Sequence, residues 1–367
     1  MKSFEFNIPT KIVFGRGKIS TLSNEINKEI TRILIVTDKH AGEKSGALKA
    51  IKNQLKDKYF DIFDRVEENP SFELLEEGRK IIREGNYQLI IAIGGGSPMD
   101  AAKGFAVLAT NDGSMLEYMN GRALEHKPLG VICISTTAGT GSEVTPYAVF
   151  SDHEKSFKGG FAHPGIFPIV SIIDHELSFS MPTQLIVNTG LDALTHAIES
   201  YLSADATILT DALAIHSIKT IIDNLDKAAK KDQEAMCLIS YASMIAGIVI
   251  THAGTILLHI MGYPLTIYHN IQHGKANAIL LPQFLEFMLA NSTVKEKVKE
   301  IDKLFKAFGG ARKYIEDFGI NTRLASYGIK DSELKLFSEK TIVKGDIKIT
   351  PAPLTVEKII NIYRDTY

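Results

Sequence analysis

The sequence predicts an α/β domain followed by an all-α domain, on three observations. Apolar β-branched runs alternate with helical patterns through the first half. Beyond Pro182 the apolar spacing turns almost entirely helical, and 367 residues are enough for two cores. Continuous apolar runs separated by helices argue for a parallel sheet covered on both faces. The boundary falls in SFSMPTQ and gives domains at 1–181 and 182–367.

Taken in order, FEFNIP followed by KIVFG predicts a hairpin. RILIVTD, YFDIFDRV, YQLIIAIGGG, GVICIST and PIVSIID then read as strands, and SFELLEEGRKIIREG as one of the intervening helices. In the second half, Gly262, Pro264, Pro282, Gly309 and Gly319 punctuate the helices. Met236 to Met261 carries no Asp, Glu, Lys or Arg and is long enough to span a bilayer. Ser240, Tyr241, Ser243, Thr251, His252 and His259 interrupt it, so it reads as one or two helices buried in a helical domain.

Composition excludes several classes. A net charge of −2 gives no footprint for nucleic acid or an anionic membrane. Two cysteines, Cys133 and Cys237, sit in apolar runs and provide no disulfide framework, which suits a reduced, cytoplasmic protein. The opening MKSFEFNIPT is neither a signal nor a transit peptide.

The strand YQLIIAI leads into Gly94, Gly95, Gly96, Ser97, Pro98, Met99 and Asp100 and then into a helical pattern. The glycines let backbone approach a bulky anion, Ser97 suits an N-cap, Pro98 the first helical position, and Asp100 completes a capping pattern. The positive helix end then faces a phosphate. This is not GxGxxG, so the usual Rossmann fingerprint is absent. A second turn, Thr136–Glu143, follows the next strand, and its alternating hydroxyls and glycines suit ribose and phosphate oxygens.

Asp192 and His196 are four apart, so a helix stacks them on one face. With His259 and His273 they form three imidazoles and a carboxylate, a set that suits Fe(II), Zn(II), Ni(II) or Co(II) over Mg or Ca. The spacing alone also fits four unrelated polar residues on buried helices; the nucleotide turn upstream argues for the metal.

In this order, FEFNIPTKIVFGRG, VEENPS, IAIGGGSPMDAAK, STTAGTGSEVTP, GLDALTHAIESYLS, HGKANAILLP and IINIYRDTY resemble the iron-containing (group III) alcohol dehydrogenase family over essentially the whole chain. The resemblance implies an N-terminal dinucleotide-binding α/β domain, a C-terminal helical metal-binding domain and a catalytic site in the cleft between them. It implies NAD(P)-linked interconversion of short alcohols or diols with aldehydes or ketones. Carried over by position, Asp192, His196, His259 and His273 hold the metal, Fe2+ with Zn2+ or another divalent transition metal also fitting. Gly95, Gly96, Ser97 and Asp100 match the pyrophosphate turn, and Thr136, Thr137, Thr140 and Ser142 the second nucleotide turn. Asp38, Asn69, Lys158 and Leu177 fall along the adenosine and nicotinamide-ribose surface.

The sequence departs from many family members four residues after the third ligand, where Tyr263 replaces a histidine. A relay through an imidazole there is thereby put in doubt; His269, four residues before His273, either compensates or, as the preferred reading, is an exposed loop histidine. The metal supplies Lewis-acid chemistry, acidifying an alcohol and polarising a carbonyl, so no side-chain base is assigned. Asp38, ending RILIVTD, favours NAD over NADP because a carboxylate accepts from free ribose hydroxyls and repels a phosphate there. The family is commonly dimeric, and the hairpin edges offer a surface for a homodimer. The rival readings are a glycerol dehydrogenase-like or dehydroquinate synthase-like enzyme, or a non-catalytic nucleotide- and metal-binding homologue. The synthase would need several cations near the metal, where these segments offer only Lys275.

Overall fold

The computed structural model describes residues 2–152 and 157–367. They form two compact units, one of residues 7–182 and one of residues 2–6 with 183–367.

The first unit is built on a six-stranded, wholly parallel sheet. Its strands are β1 (Lys11–Phe14), β2 (Arg32–Thr37), β3 (Tyr59–Phe63), β4 (Leu89–Gly94), β5 (Gly130–Ser135) and β8 (Val170–Ile173). They lie in the order β1-β8-β5-β4-β2-β3. Between β5 and β8, β6 (Tyr147–Asp152) and β7 (Phe157–Ala162) form a separate antiparallel pair. The helices of this unit are α1 (Leu22–Glu25), α2 (Ala41–Lys44), α3 (Ala47–Gln54), α4 (Phe72–Gly85), α5 (Gly96–Thr110) and α6 (Met115–Met119).

Successive strand side chains point to opposite faces, and both faces are filled. Leu34, Val36, Ile90, Ala92, Val131 and Cys133 share one core with residues of α4, α5 and α6. Ile33, Ile35, Ile91, Ile93, Ile132 and Ile134 share the other with α1 and α3. That two-sided burial explains why these strands read as unbroken apolar runs. At the carboxyl edge, Thr37 pairs with Ile93, Gly94 with Ser135 and Ile134 with Ile172. Asp38, Gly95, Thr136 and the turn after β8 therefore leave the sheet along one edge, where open parallel sheets bind ligands.

One expectation fails here. FEFNIP is not a strand and forms no hairpin with β1, which pairs in parallel with β8 at the sheet edge. Residues 2–6 cluster with the helical unit instead. The β6–β7 pair was not foreseen, because FKGGFA carries two glycines and little apolar alternation.

The second unit is helical: α7 (Thr183–Leu202), α8 (Ile208–Ala229), α9 (Gln233–Ala253), α10 (Leu257–His269), α11 (His273–Asn291), α12 (Lys295–Lys306), α13 (Ala311–Glu316), α14 (Asp331–Ile342) and α15 (Val356–Asp365). α7 packs on α8, α9 and α11, and α10 packs on α11. The uncharged stretch is two helices, α9 and the start of α10, and 67% of the apolar window of α9 is buried within the unit. Pro264 and Pro282 lie inside α10 and α11 and do not end them. Gly262 is likewise internal: a Cβ there would stand 2.0 Å from Oδ1 of Asn277, so glycine permits the close approach of α10 and α11.

Candidate functional site

In the sheet unit the two turns predicted from sequence come together. A Cβ on Gly95 would lie 2.9 Å from Oγ1 of Thr137, and one on Gly96 would lie 2.9 Å from Cγ2 of Thr140. The glycines are thus what lets the second turn press against the first. Helix α5 begins at Gly96 with Gly95 as N-cap and no side-chain cap, so Ser97 is not the N-cap. The missing Cβ atoms allow the helix to start earlier than the serine would suggest. The backbone N–H groups of this first turn suit an anion.

Ser97 takes another part. Its Oγ accepts from the N–H of Asn69 at 3.2 Å, and Oδ1 of Asn69 accepts from Nζ of Lys158 at 2.7 Å. Asn69 itself has φ of 56°, a left-handed backbone that asparagine tolerates. Thr136 donates its N–H to the Gly94 carbonyl at 3.0 Å, and Oγ1 of Thr140 accepts from the N–H of Ser142 at 3.2 Å. Asp100 does not complete a cap: its carboxylate accepts from Oγ of Ser142 at 2.9 Å and from the N–H of Val149 at 3.1 Å. Asp38 accepts from the N–H groups of His40 and Ala41 at 2.7 and 2.6 Å, while Lys39 and His40 are exposed. Leu177 is buried in the same core as Ile134 and Ile172.

Beneath the turns lies Lys103, which the sequence reading passed over. It is fully buried on α5, and its Nζ donates to the Ser142, Thr145 and Tyr147 carbonyls and to Oγ of Ser142, at 2.7 to 3.0 Å. Burial pushes its pKa down, though the Asp100 charge opposes this. Burial likewise raises the Asp100 carboxyl to about 6 and Glu143 to about 7, each against the pull of Lys103. The signal in the sequence was a single lysine in the otherwise apolar AAKGFAVLA.

In the helical unit, Asp192 and His196 on α7 and His259 on α10 are buried, and one ligand atom from each lies within 4.8 Å of the others. The His196 and His259 rings stack with centroids 4.4 Å apart. His273, the first residue of α11, stands edge-on to His259 at 5.2 Å. Tyr263, one turn after His259, stacks on His273 at 5.3 Å. Nδ2 of Asn277 lies 3.4 Å from both Asp192 Oδ1 and His273 Nε2. Burial would raise the Asp192 carboxyl, but the charges of His196, His273 and His259 hold it below the usual range. Burial would lower His259, yet Glu199 and Asp192 hold it up at about 9.

Glu199 and Asn277 were missed, although Glu199 follows His196 by three and so shares its helix face. Glu199 is fully buried; its Oε1 accepts from the N–H groups of Ile256, Leu258 and His259, and its Oε2 bonds Nδ1 of His259. His269 is not an exposed loop residue. It ends α10 with Nε2 3.1 Å from a Glu333 carboxylate oxygen. Lys275 lies over the Tyr327 ring at 4.7 Å.

The donor set fits a transition metal. Nε2 of His259 is buried with no hydrogen-bond partner among the described residues and stands 3.7 Å from Asp192 Oδ1, an arrangement a shared cation would satisfy. Two histidines and a carboxylate converge there, with a third histidine adjoining. Such a cluster, in a chain that also has paired glycine and threonine turns at a sheet's carboxyl edge, is the equipment that a metal-dependent dehydrogenase needs. Comparison with known proteins narrows the class. The model of the iron-containing alcohol dehydrogenase matches residues 9–175, and that of the C-terminal domain of the Fe-containing alcohol dehydrogenase family matches residues 186–367. The chain is 30% identical to the NAD-dependent methanol dehydrogenase of Bacillus methanolicus, over 98% of this chain and 99% of that one. It is 30% identical to the 1,3-propanediol dehydrogenase of Klebsiella pneumoniae, over 100% and 99% of the two chains. Among solved structures, an iron-containing alcohol dehydrogenase of Thermotoga maritima superposes with a TM-score of 0.92 at 38% identity, covering 99% of each chain. The chain belongs to the iron-containing alcohol dehydrogenase family, whose members use NAD(H) and iron, and is an NAD-dependent alcohol oxidoreductase. The rival readings are not favoured.

Proposed function

We propose that this enzyme interconverts short-chain alcohols or diols with their aldehydes, with NAD on the sheet unit and Fe2+ on the helical unit. In this reading residues 1–181 form the dinucleotide-binding domain and 182–367 the metal domain. Asp192, His196, His259 and His273 hold the ion; Zn2+ fits the same donors. The bound ion supplies Lewis-acid chemistry to the substrate oxygen. The observation that carries the reading is the buried convergence of Asp192, His196 and His259.

The chain's own residues do the rest. Gly95, Gly96, Ser97 and the threonines of the second turn seat the pyrophosphate and ribose, while Asn69 and Lys158 brace that seat through Ser97. Tyr263, stacked on His273, limits the rotation of that ring. The substrate is read from activity: iron-loaded protein assayed with NADH and NADPH against a panel of aldehydes is expected to turn over short aldehydes and hydroxyaldehydes. Turnover confined to phosphorylated or acidic substrates would sink this reading.

Asp38 sets the cofactor preference. Its second carboxylate oxygen suits ribose hydroxyls while the first holds the turn, so NAD is favoured over NADP. Asp38→Gly is expected to improve efficiency with NADP about tenfold, about 1.4 kcal/mol. Asp38→Asn, which keeps an acceptor for the turn, separates charge from turn geometry. A wild-type enzyme more efficient with NADPH than NADH would contradict the assignment.

The enzyme is further proposed to be a cytoplasmic homodimer. Residues 2–7 lie outside any helix or strand and are exposed, with Phe4 and Phe6 at 41% and 36%, a surface that suits a second copy. Light scattering is expected to give twice the chain mass; a strict monomer at micromolar concentration would count against it.

A further inference from the structure

Asp192, His196 and Glu199 lie at i, i+4 and i+7 on α7, a single stripe of one helix face. Glu199 reaches the start of α10, where the N-cap residue Ile256 supplies no side-chain cap. Its Oε1 takes the N–H groups of Ile256 at 2.8 Å, Leu258 at 2.9 Å and His259 at 3.3 Å. Its Oε2 meets Nδ1 of His259. The next residue, Ser200, donates Oγ to the Gly254 carbonyl at 3.0 Å, so two consecutive residues of α7 hold the chain that leads into α10.

Both oxygens of Glu199 therefore face donors. A neutral imidazole carries one N–H, and its partner decides which nitrogen bears it. An acceptor at Nδ1 places the proton there and leaves the lone pair on Nε2. That nitrogen is the one 3.7 Å from Asp192 Oδ1. We propose that Glu199 is a positioning residue that fixes His259 as the Nδ1–H tautomer and anchors the first turn of α10, so that Nε2 is presented to the metal beside Asp192. The inference rests on the reading of Asp192, His196 and His259 as metal ligands.

Only a carboxylate meets both demands at this length. A glutamine has one acceptor oxygen. If that oxygen keeps the three backbone N–H groups, its NH2 meets Nδ1 of His259 and drives the ring proton onto Nε2, the ligand atom. If the amide turns over, its NH2 meets three N–H groups, and the start of α10 loses its cap. A purely structural role, as a buried cap, needs only the first orientation and leaves metal affinity untouched.

The test uses the full-length protein with zinc, whose affinity is measured by competition with a chelator. Glu199→Gln is expected to bind zinc about 10- to 100-fold more weakly than wild type. In zinc-loaded wild type labelled with 15N-histidine, His259 is expected to show a hydrogen-bonded Nδ1–H, assigned by its loss in His259→Gln. Failure of the wild-type protein to bind zinc would overturn the metal reading itself. Wild-type affinity in Glu199→Gln would overturn the role of Glu199 and leave the metal reading standing. If Glu199→Gln does not fold, the wild-type spectrum decides: a proton on Nδ1 supports the proposal, and an unprotonated Nδ1 with the proton or no bond at Nε2 overturns it.

Discussion

Replacing His259 or His273 by alanine is expected to abolish metal binding and turnover together while the two units stay folded. Each removes one of four donors from a site whose ion must remain bound and still accept a substrate oxygen. The expected loss in kcat/KM is at least about a thousandfold, about 4 kcal/mol. The two variants will differ in stability. His259 is buried, and its loss leaves Oε2 of Glu199 in the interior without its partner, so His259→Ala costs stability as well. His273 is half-buried at the first position of α11, and its removal is the cleaner test. His269→Ala is the control: its Nε2 bonds Glu333, and it is expected to retain most activity. Metal analysis and steady-state kinetics check all three, and equal losses in His269→Ala and His273→Ala would sink the ligand assignment.

Lys103→Met is expected to be the most damaging single change to the sheet unit. Methionine fills nearly the same space but donates nothing. It leaves three carbonyls and the Ser142 hydroxyl without Nζ, and removes the cation that faces the buried Asp100 and Glu143 carboxyls. Removing one partner from a buried charged network costs roughly 3–5 kcal/mol. The groups released lie at Ser142 in the turn proposed to seat NADH, at Thr145 just after it and at Tyr147 in β6, so KM for NADH should rise more than kcat falls. Urea unfolding of the sheet unit measures the first effect, and initial rates at varied NADH the second. A loss below about 1 kcal/mol would mean that the network does not hold the turn.

The same residues explain how much was legible from sequence. Parallel strands buried on both faces leave unbroken apolar runs, so β2, β4, β5 and β8 could be read directly. FEFNIP looked like a strand because its apolar residues alternate, but it clusters with the helical unit, and no local pattern records that. Gly262 and Pro264 looked like helix ends; the closeness of α10 to Asn277 makes Gly262 an interior residue instead. Chemistry-bearing side chains of unusual type for their place, three histidines and an aspartate amid apolar helices, stood out as a metal set. Their supports did not. Lys103 and Glu199, and Asn277 in its contact with Asp192, reach partners at least 39 residues away in sequence, a distance over which spacing carries no signal.

In the proposed reading one divalent ion, held by Asp192, His196, His259 and His273, supports the NAD-linked alcohol dehydrogenase activity of this chain. Its most direct test is to strip the protein of metal, titrate Fe(II) back under anaerobic conditions, and follow NADH oxidation by a short aldehyde. The stripped protein is expected to show no turnover, activity is expected to rise in proportion to iron and level at one ion per chain, and His273→Ala is expected not to recover. Full activity in the stripped wild-type protein, or equal recovery in His273→Ala, would contradict this reading.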